Sequence, residues 1–142
     1  MLTKIVLSSQ GPAMIAYEEF GRGPVIVFFT GAWVRPRIFK TLILSLSKQY
    51  RVIVPHIPPF GESTLTSSHI TFDEYGMLFS TFIRSLHISS CCIVGHSFGG
   101  MVALYTAFHC KNVKKILLVN PMMEEFCPPK DTKEYLHIFY RV

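Results

Sequence analysis

No apolar run in this chain reaches the ~18 residues that a membrane-spanning helix needs, and the longest such segments have strand length. The four cysteines, Cys91, Cys92, Cys110 and Cys127, include no Cys-x-x-Cys pair, which removes the usual zinc and dithiol sites. Cys91 and Cys92 fall inside an apolar run and read as small buried hydrophobes. Charge is scarce, at 16% of residues against 49% apolar, a balance opposite to that of disordered chains. The net charge of +5 comes from scattered basic residues, with no stripe interleaved with exposed aromatics, so no nucleic-acid partner is expected. Neither G-x-G-x-x-G nor G-x-x-x-x-G-K-[ST] occurs, which removes the dinucleotide and phosphate loops. There is no internal repeat, no low-complexity tract and no leader-like N-terminus, and the default expectation is a cytoplasmic protein.

What is present fits one domain. A chain of 142 residues can bury roughly two thirds of its unfolded surface. Lys4–Ser8 and Met14–Phe20 alternate around Gly11-Pro12 and predict an N-terminal antiparallel hairpin. Val25–Phe29, Arg51–Val54, Cys91–Val94 and Lys115–Val119 are continuous runs rich in β-branched residues, the signature of parallel strands buried on both faces. Helical periodicity lies between them. Ile38, Phe39, Leu42, Ile43 and Leu46 form one stripe; Leu78, Phe79, Phe82, Ile83 and Leu86 form a second; Met101–Phe108 is a third. Thr71 and Glu74 have capping-box spacing, and Ile70 and Tyr75 are placed to staple the same helix start. Strand alternating with helix predicts an α/β fold, doubly wound on a mostly parallel sheet. Ligands in such sheets bind beyond the carboxyl ends of the strands. That singles out the loops at 30–36, 56–63, 95–100 and 120–123.

One of these loops carries a chemical motif. Gly95-His96-Ser97-Phe98-Gly99 is G-x-S-x-G, followed by Gly100, with a buried strand before it and a helix after it. A serine on so sharp a strand-to-helix turn sits in a strained backbone, and the positions two before and two after must be small because the chain nearly touches itself. The turn lifts the hydroxyl above the sheet edge at a helix N-terminus, where the backbone N–H of Phe98 can donate to a developing oxyanion. Ser97 is therefore the candidate nucleophile.

The stretch Cys92–Met101 closely resembles the nucleophile turn of the α/β-hydrolase superfamily, serine branch. Val25–Trp33 resembles that family's strand ending in His-Gly, and Arg51–Ser63 its strand and Asp-x-x-Gly-x-Gly-x-Ser loop. The resemblance implies an acyl-enzyme hydrolase of esters, thioesters or amides, a small-molecule acyl substrate and no cofactor. It implies a second oxyanion donor at the backbone N–H of Ala32. Departures accompany the match. Thr30 replaces the usual His, and with it a loop-stabilising side chain is expected to be lost; His56 replaces Asp, and Pro59 replaces Gly. In this fold the acid and histidine follow the serine in chain order, on strands that the sequence does not display. The expected organisation is therefore an incomplete hydrolase core over residues 1–122 and the start of a cap, or a tail, over 123–142. His56 is the best internal candidate base, Glu124 and Glu125 are alternative acids, and His137 could serve only by folding back. Lys115–Val119 would then be an exposed sheet edge, open to self-association. The alternative function is a non-catalytic remnant or interaction module using that edge.

Overall fold

The computed structural model describes residues 1–9, 11–67 and 69–122, and the backbone of 137–141. The chain opens with β1 (Leu2–Ser8) and β2 (Gly11–Phe20), paired antiparallel with Ser8 opposite Gly11. Gly11-Pro12 thus belongs to β2 rather than to the turn, and Ser8 Oγ closes the hairpin by donating to Gly11 O at 2.7 Å. Then follow β3 (Val25–Phe29), a 3-10 turn (Pro36–Phe39), α1 (Lys40–Leu46), β4 (Arg51–Pro55), α2 (Phe72–Ser85), β5 (Cys91–His96), α3 (Phe98–His109), β6 (Val113–Val119) and β7 (His137–Arg141).

These strands form one seven-stranded sheet in the order β1-β2-β4-β3-β5-β6-β7. From β3 to β7 the neighbours are parallel, while β2 joins β4 antiparallel. The order reverses at β3. The chain leaves β3 toward β4 through α1, then returns past β3 to β5 through α2. A right-handed crossover in each direction puts successive helices on opposite faces, and the crevice where they part lies at the carboxyl ends of β3 and β5.

The two faces are unequally covered. Phe29, Ile53, Ile93, Ile116 and Leu118 pack with Leu78, Phe79, Phe82 and Val102 in the larger core, under α2 and α3. Ile26, Phe28, Val52, Val54 and Val94 form the smaller core with Ile43 of α1. Fully burying a side chain of this size contributes roughly 1.5–3 kcal/mol, so the larger core dominates the hydrophobic stabilisation. Of the first helical stripe only Ile43 is fully buried, and Ile38 and Leu42 are exposed. Helix α2 begins as the sequence predicts: Thr71 Oγ1 accepts the Glu74 N–H at 3.3 Å, and Glu74 Oε2 accepts the Thr71 N–H at 2.8 Å.

Two expectations about β6 need correction. It is not the last strand, because β7 pairs with it in parallel from Lys115↔His137 to Val119↔Arg141. Nor is it buried on both faces: Ile116 and Leu118 are buried, but Leu117 and Val119 are exposed, because among the described residues α1 is the only α-helix packed on that side. No helix among the described residues is long and apolar enough to cross a membrane.

Candidate active site

Ser97 sits at the reversal point, between β5 and α3. Its dihedrals are φ 53°, ψ −123°, those of the first central position of a type II′ turn, which glycine dominates. Gly95 and Gly99 explain how the chain closes so tightly. A Cβ on Gly95 would lie 2.5 Å from Gly99 O and 2.7 Å from Ala103 Cβ. A Cβ on Gly99 would lie 2.3 Å from Thr30 O and 2.5 Å from Phe29 O. The first turn of α3 therefore rests directly on the backbone at the end of β3.

The turn is anchored from a third side that sequence reasoning did not foresee. Ser97 N–H donates to Val119 O at 3.1 Å, and Ser97 O accepts the Met122 N–H at 3.0 Å. Asn120, with φ 41°, bends the chain between them. The loop after β6 thus clamps both peptide groups of the serine. Its only trace in the sequence is that this loop leaves the active edge of the sheet.

The two candidate oxyanion donors face no backbone competitor. Among the described residues neither Ala32 N–H nor Phe98 N–H donates to a backbone carbonyl, and Phe98 is the first residue of α3, whose opening N–H groups have no intrahelical partner. The loop bearing Ala32 lies against the serine: a Cβ on Gly31 would be 3.2 Å from Ser97 Cβ. Thr30 does more than the sequence suggested. Its buried Oγ1 donates to Val34 O at 3.0 Å, and Val34 N–H returns to Gly31 O at 3.2 Å. The loop keeps an internal tie although histidine is replaced.

His56 is held elsewhere. Its Nδ1 accepts the Glu62 N–H at 3.1 Å, which fixes the remaining ring proton on Nε2, 3.7 Å from Glu18 Oε1. With Nδ1 engaged by the Glu62 N–H, the His56 ring makes no hydrogen bond to Ser97 among the described residues. No hydrogen bond joins Ser97 Oγ to any described residue, and His96 packs its ring 5.3 Å from Phe39. His137 is paired with Lys115, four residues before Val119, so its backbone lies about 13 Å along the strand from the active edge. Glu124 and Glu125 lie outside the described residues. No group of three metal-ligating side chains occurs among the described residues.

The loop bearing His56 is pinned from both sides. Ser63 Oγ donates to His56 O at 2.7 Å and accepts the Ala16 N–H at 2.9 Å, while the Tyr75 hydroxyl donates to Pro58 O. Burial pushes the Tyr75 phenol from its ordinary 10 up to about 12. The fold favours the neutral phenol, so this stabilisation is present below pH 10 and is lost as the pH climbs from 10 through 12. Tyr75→Phe is expected to lower stability at neutral pH by about 1 kcal/mol through the lost hydrogen bond and to flatten the alkaline decline. Urea midpoints measured for both proteins between pH 7 and 12 check both effects.

The chain is 28% identical over 109 residues to the magnesium-chelatase 30 kDa subunit of Rhodobacter capsulatus, covering 73% of this chain and 37% of that protein. It is 28% identical over 90 residues to the pimeloyl-[acyl-carrier protein] methyl ester esterase of Aeromonas hydrophila, covering 63% of this chain and 34% of that one. A thermophilic esterase structure from Thermogutta terrifontis superposes with a TM-score of 0.76 at 21% identity, over 85% of this chain and 46% of its own. The chain thus spans about a third of the length of these curated relatives. The family model for the alpha/beta hydrolase fold matches residues 24–141, nearly the whole of the chain after its N-terminal hairpin, and the chain belongs to that family.

Proposed function

We propose that this chain carries the nucleophile and oxyanion-hole portion of a serine hydrolase acting on an ester, thioester or amide. Ser97 Oγ attacks the acyl carbon, and the carbonyl oxygen takes negative charge held by the N–H groups of Ala32 and Phe98. The leaving group departs with a proton, and water then releases the acid from the acyl-serine. The observation that carries this reading is the serine in a backbone conformation that glycine would occupy at no cost, at the point where the sheet order reverses. The relative named as a methyl ester esterase supports ester chemistry in this family.

A fluorophosphonate probe followed by peptide mass spectrometry tests it. The expected result is an adduct on Ser97 that is absent from Ser97→Ala. Labelling that persists in Ser97→Ala removes the assignment. A second reading, a non-catalytic interaction module, is favoured by one observation: among the described residues no histidine is hydrogen-bonded to Ser97 Oγ. An unlabelled chain that sediments as a discrete dimer would establish that reading instead.

A further inference from the structure

A cavity of about 500 Å³ opens at the carboxyl ends of β3 and β4, between the loops that follow them. Gly31 forms part of its wall, and a Cβ added to Gly31 would lie 3.2 Å from Ser97 Cβ. Trp33 and Phe60 line it with ring centroids 5.0 Å apart, and Phe60 continues to Phe98 at 5.5 Å. Trp33 is 86% exposed and holds φ at 61°. A bulky residue in the left-handed region costs of order 1–3 kcal/mol, and the largely exposed indole offsets only part of it through its edge contact with Phe60.

Charge is divided between the two walls. Arg35 and Arg37 line the wall that Trp33 begins, and neither guanidinium has an ion-pair partner among the described residues. The carboxylates of the lining belong to the other side: Glu18 faces His56 Nε2 at 3.7 Å, and Glu62 follows the β4 loop whose backbone holds His56. Two unpaired guanidinium forks beside an aromatic surface fit a carboxylate or a phosphate on an apolar chain.

We propose that this cavity is a subsite for an anionic end group of the substrate, bound by Arg35 and Arg37 while the apolar portion lies on Trp33 and Phe60 and leads past Gly31 to Ser97. The placement of the scissile bond rests on the Ser97 reading; the anion site itself does not.

Trp33 is the single tryptophan of the chain, so its fluorescence reports on this cavity alone. Titration with monomethyl adipate, hexyl phosphate and the neutral methyl hexanoate tests the subsite directly. An anionic ligand is expected to give a saturable change at concentrations about tenfold below methyl hexanoate. The Arg35→Gln/Arg37→Gln double variant is expected to abolish that advantage. A response to monomethyl adipate alone assigns a carboxylate, and one to hexyl phosphate alone a phosphate. Equal responses to all three ligands, no response to either anion, or unchanged anion binding in the double variant overturns the subsite. Fluorophosphonate labelling scored on the same protein keeps a failure at Ser97 distinguishable from a failure here.

Discussion

Gly99→Ala is expected to destabilise the fold by about 3 kcal/mol, at the upper end of what one added methyl group costs in a packed interior. Most such insertions press on side chains that can rotate away. Here the added carbon would meet two backbone carbonyl oxygens, Thr30 O at 2.3 Å and Phe29 O at 2.5 Å. Relief requires either α3 to lift off the sheet or the end of β3 to shift, and both moves damage the site. Lifting α3 withdraws the Phe98 N–H, and shifting β3 drags Gly31 and Ala32. Gly31→Ala supplies the contrast. Its new methyl would lie 3.2 Å from Ser97 Cβ and 3.3 Å from Val34 Cγ2, close contacts that give by a few tenths of an ångström. Urea unfolding of the two variants should separate them by at least 1 kcal/mol, Gly99→Ala being the less stable. Equal midpoints would mean that α3 is not seated on β3 as described.

The parts of this site that were legible in the sequence are those fixed locally. The glycines of the Ser97 turn, the capping pair Thr71 and Glu74, and the β-branched runs of β3, β4 and β5 each act within a few residues of themselves. What was missed depends on distant partners. The apolar run of β6 reads like those of β3 and β4, but hydrophobicity alone cannot tell a strand covered twice from one covered once, and Leu117 and Val119 proved exposed. His137–Arg141 has strand-like residues, yet its partner lies across a long connection with no local signal of pairing. Thr30 looked like a loss because a side chain was compared with histidine, whereas its hydroxyl ties the loop through Val34 O. The strain at Trp33 is likewise invisible in residue identity, since nothing in a tryptophan announces a left-handed backbone.

Ser97→Gly is expected to abolish fluorophosphonate labelling and at the same time to make the protein more stable by about 1 kcal/mol. Two effects oppose each other. Glycine relieves the cost of holding a side chain at φ 53°, ψ −123°, of order 1–3 kcal/mol. It also frees the unfolded chain, which costs about 0.5–1 kcal/mol. The first outweighs the second because these dihedrals lie in a region that residues with a Cβ rarely occupy. Ser97→Ala separates the chemistry from the strain. It removes the same hydroxyl, keeps the Cβ, and loses no hydrogen bond to the described residues, so its stability should stay within about 0.5 kcal/mol of the parent. The two variants are then equally unreactive but differ in urea midpoint, with glycine the higher. Such a pattern is what a strained nucleophile predicts: the fold tolerates a conformational penalty at one residue because that residue must present a hydroxyl. If Ser97→Gly unfolds at or below the midpoint of Ser97→Ala, the turn is relaxed, and the strain cannot be counted in favour of Ser97 as the reacting group.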